Sequence, residues 1–171
     1  MKIISYCLLI LTISVFPCYG RLGETVGECH QRYGEPNMTA ESGRATFDVF
    51  IVGTFTIGIY YLDHKSVAVV YTKLHGKISM DETITILIEK EADGKKWGKP
   101  FVSSEDVTNA DTGIVESHTE TGWARTDGVS ATLDDSPSAA ILTLLSSDRE
   151  AAFLVQKTIR DYIASRTTKG L

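Results

Sequence analysis

From Thr46 to Lys73 the chain alternates apolar and polar residues so regularly that a β-meander is the structure it best fits. Phe55, Ile57, Ile59 and Tyr61 alternate with Thr56, Gly58 and Tyr60, and a period of two puts the first set on one face of a pleated strand. Asp63-His64-Lys65 breaks the pattern, and Val67, Val69 and Tyr71 resume it, which predicts an antiparallel hairpin. Upstream, Phe47, Val49 and Ile51 alternate as well, with Gly53 placed to turn that strand into the next. A three-stranded meander needs cover for its apolar face, and helical patterns flank it on both sides.

Thr25-Val26-Gly27-Glu28 is a capping box, in which the threonine oxygen and the Glu28 carboxylate each satisfy a backbone amide. Leu22, Val26, Cys29 and Tyr33 form one stripe of the helix that follows, and Gly34 and Pro36 end it. Asn37 to Arg44 is polar and reads as a loop; its Asn37-Met38-Thr39 is a glycosylation sequon. A second helix is expected from Ser79 to Ala92, with acidic residues in its first turn and Ile84, Leu87, Ile88 and Glu91 at amphipathic spacing. Its β-branched Thr83-Ile84-Thr85-Ile86 run leaves a strand as the alternative.

Ser103 to Glu120 reads as a long polar loop with a short strand at Gly113 to His118. Trp123 to Thr126 and Val129 to Leu133 flank Asp127-Gly128, a strong hairpin signal. Asp134 to Ser138 is a turn, and Ala139 to Leu145 is an apolar strand. Asp148 caps a last helix with Ala152, Val155, Ile159, Tyr162 and Ile163 on one face. The expectation is an α+β fold in the order α-β-β-β-α-β-β-β-α. It consists of an antiparallel sheet of about six strands with two short helices and a C-terminal helix packed on it.

Residues 1–20 read as a secretory signal peptide: Lys2 supplies the positive end, Ile3 to Phe16 the apolar stretch, and Cys18 and Gly20 the small residues before a cleavage after Gly20. Acylation at Cys18 is the competing reading, with Pro17 departing from the small residue expected before a lipidated cysteine. The chain is then exported, periplasmic or extracellular, as a single domain over residues 21–171. No later run is long enough to span a bilayer. Loss of Lys2 takes the net charge from −5 to −6, which argues against nucleic acid and against attraction to anionic lipid. Cys7 and Cys18 leave with the signal, so Cys29 has no partner within the chain. Its place on the helical stripe predicts a buried hydrophobe.

The stretch from Leu22-Gly23-Glu24-Thr25 through Tyr33-Gly34-Glu35-Pro36 resembles the start of small secreted bacterial proteins. The later Trp97 and the Trp-x-Arg-x-Asp-Gly pattern of Trp123 to Gly128 extend that likeness. The helix-then-sheet layout is similar to outer-membrane assembly lipoproteins of the SmpA/OmlA type (BamE-like). It is also similar to the β-lactamase-inhibitor-protein fold, built from two such units. The resemblance implies an envelope-assembly module or an enzyme inhibitor.

The sequence holds no Gly-x-Ser-x-Gly, no phosphate-binding glycine loop, no His-Glu-x-x-His and no Cys-x-x-Cys. His30 neighbours Cys29, but adjacent helical residues point about 100° apart. His64 and His75 make a poor metal pair without a carboxylate or thiolate at ligand spacing, and Asp134-Asp135 lacks the alternating oxygens of a calcium loop. No catalytic residue, metal ligand or cofactor is therefore expected. Trp97 with its neighbour Phe101 is the candidate for partner binding, while Trp123, which leads into the hairpin, is assigned to the core. The expected function is a non-enzymatic protein-binding or envelope-assembly module. The alternatives are an inhibitor and an enzyme whose site forms only in three dimensions.

Overall fold

The computed structural model describes residues 22–42, 44–108, 115–136 and 139–148, together with Glu150, Ala151, Phe153, Leu154 and Lys157. Helix α1 (Val26–Tyr33) has the expected capping box, with Thr25 Oγ1 accepting from the Glu28 amide at 3.3 Å and Glu28 Oε2 accepting from the Thr25 amide at 2.8 Å. Four strands follow: β1 (Met38–Ser42), β2 (Ala45–Val52), β3 (Phe55–Leu62) and β4 (Lys65–Lys73). Asp63 and His64 turn β3 into β4 with φ of 50° and 65°, the left-handed pair of a two-residue hairpin. A second capping box, Ser79 with Glu82, starts α2 (Met80–Thr85), which continues as a π-helical turn, Ile86–Lys90. Then come β5 (Phe101–Thr108), β6 (Val115–Ala124), β7 (Ser130–Asp135) and β8 (Ala140–Leu145).

All eight strands form one antiparallel sheet in the order β1-β2-β3-β4-β8-β7-β6-β5. The chain is thus two helix-plus-four-strand units whose last strands, β4 and β8, pair side by side. This α+β architecture corrects the expected six-strand sheet with a C-terminal helix. The helical elements with described bounds are α1 and α2 with its π-helical turn, and the described residues Glu150, Ala151, Phe153, Leu154 and Lys157 are helical as well. Ala152, Val155, Ile159, Tyr162 and Ile163 of the expected last helix lie outside the described residues, as do residues 1–20 with their cleavage site.

The missing strands have a physical explanation. β1 occupies the stretch expected as a loop, and β5 with the start of β6 occupies the expected Ser103–Glu120 loop. β1 and β5 are the two edges of the sheet. An edge strand is half solvated, so it need not alternate strongly: Val-Ser-Ser-Glu-Asp does not alternate, and Met-Thr-Ala-Glu-Ser does so weakly, with Met38 its one large apolar residue.

Register carries one row of side chains across seven of the eight strands, from β2 to β5: Phe50, Ile57, Tyr71, Leu142, Leu133, Thr121 and Val102 are successive partners. The parallel row runs Asp48, Ile59, Val69, Leu144, Ala131 and Trp123. These rows, with Cys29 from α1 and Ile86 and Leu87 from the π-helical turn, make the core. The expected face of β2 is reversed. Asp48 and Phe50 are buried, while Phe47 lies on the opposite face. There Phe47 stacks on Tyr60 with centroids 4.2 Å apart and covers Gly58, where a Cβ would lie 2.9 Å from the ring.

Candidate functional site

The first row ends in solvent. Phe50 is 1% exposed and Val102 is 66% exposed. Between the two ends the core face of the sheet passes under α2 and emerges at β5, leaving an apolar groove of about 640 Å³. One wall is a stripe on the helix, Met80, Ile84 and Ile88, at 42%, 41% and 62% exposure and spaced i, i+4 and i+8. The other wall is Pro100 and Val102, and Leu87, Thr121 and Trp123 lie beneath. A volume and lining of this kind belong to ligand and peptide sites rather than to ordinary surface.

Trp97 closes one end, and it is held in place. Its Nε1 donates to the Leu87 carbonyl at 2.8 Å, and the Arg125 guanidinium lies 5.5 Å from the ring centroid. Trp97 and Arg125 also form an isolated β-bridge. Arg125, buried at the start of the β6–β7 turn, grips the Asp127 carboxylate through Nε at 2.8 Å and Nη2 at 2.9 Å. Its Nη1 donates to the Glu91 carbonyl, just past the π-helical turn. One side chain therefore fixes the hairpin, the helix end and the tryptophan in a single arrangement. The Arg-x-Asp of the Trp-x-Arg-x-Asp-Gly pattern is this fork.

Lys95 and Lys96 stand at the groove with no ion pair among the described residues, on a chain of net charge −5. Lys73 is different: it pairs with Glu82 at 2.7 Å. That contact, with the Ser79 amide, holds the Glu82 carboxyl down to about 2. Trp97 thus lines the groove, whereas Phe101 does not. Phe101 pairs with Gly122 on the opposite face and lies over it, 61% exposed, where a Cβ on Gly122 would come within 2.2 Å of the ring. The two candidate residues are therefore not brought together.

Elsewhere the polar groups make a scaffold. Cys29 is fully buried with Sγ 3.8 Å from Glu24 Oε2, and burial pushes its thiol up to about 11. It is protonated at neutral pH and cannot serve as a thiolate nucleophile. His30 Nε2 lies 2.9 Å from Asp48 Oδ2, and Thr39 Oγ1 donates to Asp48 Oδ1 at 2.6 Å, tying α1 to β1 and β2. A His–Asp pair of this geometry suits general-base work, but the neighbouring Thr39 hydroxyl is bonded to Asp48 and not to the imidazole. His64 and His75 sit beyond opposite ends of β4, about 30 Å of strand apart, too far to ligate one ion together. Asp134 and Asp135 end β7, where they meet His118 at 3.2 Å and Lys77 at 2.8 Å. Among the described residues no cluster of three or more metal-ligating side chains occurs, and no helix is long and apolar enough to cross a membrane.

Glu91 is the most unusual ionisable group. It is fully buried, accepts from the Tyr71 hydroxyl at 2.6 Å through Oε1, and has no hydrogen-bond partner at Oε2. Burial pushes its carboxyl up to about 8, so it is mostly protonated at neutral pH, with Tyr71 and Arg125 opposing that shift.

Sequence reasoning missed Met80, Val102 and Arg125. Met80 and Ile84 extend the i, i+4 pattern beyond what one buried stripe needs, which is a readable sign of a second apolar face. Val102 gives no such sign, because its place at the end of the core row depends on a strand pairing that the polar sequence hides. No protein-family model, curated protein or solved structure matches the chain.

Proposed function

We propose that this is an exported, non-enzymatic binding module that holds another protein in the groove between α2 and β5. The observation that carries the reading is the helix stripe Met80, Ile84 and Ile88 facing Val102 across open space beside an immobilised Trp97. A groove that is apolar, preformed and walled by regular structure offers contact area at little ordering cost. The apolar stretch after Lys2 and the small residues at Cys18 and Gly20 support export. Capture by the wild-type chain, compared with an Ile88→Glu/Val102→Glu variant of equal melting temperature, tests it. Proteins retained by the first and lost by the second identify partners, and identical captured sets exclude the groove.

A second reading is an enzyme inhibitor of the kind the sequence resembles. Two helix-plus-four-strand units joined into one sheet support it. Titration of a panel of β-lactamases and proteases with the protein decides this, and undiminished activity at micromolar protein removes it.

A further inference from the structure

Two features of the groove specify what fits it. The first is that β5 is an open edge: it pairs with β6 on one side and with no strand on the other among the described residues. Its outward amides and carbonyls need partners, and an added strand supplies them where a docked helix cannot. The second is that the core row of the sheet ends at Val102, beneath the overhanging Ile84 and Ile88. A ninth strand would place the next side chain of that row in the groove.

The charges along β5 are polar in both senses. Lys95 and Lys96 flank its start, near Pro100, whereas Glu105 and Asp106 lie exposed further along, with no ion pair among the described residues. Resting on the groove reading above, we propose that the occupant is an extended partner segment added antiparallel to β5. Its alternate apolar side chains enter the groove, its acidic C-terminal end meets Lys95 and Lys96, and its basic N-terminal end meets Glu105 and Asp106. A second copy of this chain carries the same charge polarity but fits the groove less well, because on the Val102 face its β5 continues with Ser104 and Asp106 and so offers one apolar side chain where the groove takes several.

The probe is a blocked peptide reading Lys-Lys-Val-Thr-Val-Thr-Val-Asp-Asp, titrated into the full chain with amide exchange read by NMR. Binding should slow exchange of the outward β5 amides about tenfold or more. Exchanging the charged ends should weaken binding about tenfold, and N-methylation of the residues facing β5 should abolish it. Val102→Glu at unchanged melting temperature should also abolish it. Equal binding of the N-methylated peptide, or protection confined to α2, overturns strand addition while leaving the groove reading intact. Absence of binding at millimolar peptide, or concentration-dependent dimerisation that protects β5, overturns the proposal as well. Loss of the groove reading itself is recognised separately, by unchanged protein capture with Ile88→Glu/Val102→Glu.

Discussion

The two halves of the molecule share a layout and differ in closure. In the first, α1 sits on the sheet with Cys29 fully buried, and Tyr33 packs on Phe50 with ring centroids 5.2 Å apart. Its edge strand β1 is short and anchored: Thr39 reaches Asp48, and the Asn37 amide donates to the Val49 carbonyl at 2.7 Å. In the second half α2 leaves one apolar stripe in solvent, and β5 is longer and solvated along its outer side. The same supersecondary unit is sealed once and left open once. Stability resides in the closed rows, and the capacity to bind resides where a row runs out.

The largest effect should come from breaking a closed row. Trp123 is 4% exposed and pairs with Ala131 on the core face, so Trp123→Ala should cost about 3 to 5 kcal/mol, read from denaturant melts. Trp97→Ala, at the boundary of the open half, should cost about 2 kcal/mol through the lost Leu87 bond and Arg125 stack. Equal losses would mean that the groove end is as integral as the core.

Glu91 sharpens the comparison through pH. Its carboxyl titrates near 8 in the fold and near the ordinary 4.5 when unfolded. Between those values the unfolded chain has released a proton that the fold retains. The contribution of Glu91 to stability is therefore full below about pH 4.5, falls as pH rises to about 8, and levels off above it, by on the order of a few kcal/mol. Glu91→Gln should flatten this profile, and an unchanged slope in that variant would assign it to other groups.

Cys29→Ser should lower stability by about 1 to 3 kcal/mol by burying an ill-matched hydroxyl, and native protein should react slowly with thiol reagents. The smallest effect is the one that matters for binding. Ile84→Gln and Ile88→Gln should each change stability by about 0.5 kcal/mol or less, because solvent already reaches these side chains. A loss of several times that size would show that the stripe is structural.

Much of the local structure in both halves is readable in the sequence. The alternation in β2, β3 and β4, the Thr25 and Ser79 capping boxes and the Asp127-Gly128 turn are local signals, each decided within a few residues. What was not legible is non-local. The faces of β2 were misassigned because Phe47 and Val49 are as apolar as Phe50, and only the buried Asp48, bonded to His30 and Thr39, sets the orientation. β1 and β5 were hidden by the polarity that suits an edge. The groove joins a helix stripe to an unrecognised strand, so its parts are visible only once the strands are ordered.

The join between the halves has a kinetic consequence. Every strand pair but one links neighbours in sequence; β4 with β8 is the exception, matching Ala68 with Leu145 and Tyr71 with Leu142. Each meander can zip from its own turns, but that seam must bring together distant parts of the chain before any of its contacts repay the closure entropy. Refolding should therefore wait on the seam. Leu144→Ala, at the seam, and Ile59→Ala, in a meander that zips before the seam closes, are both expected to slow the folding limb of a chevron.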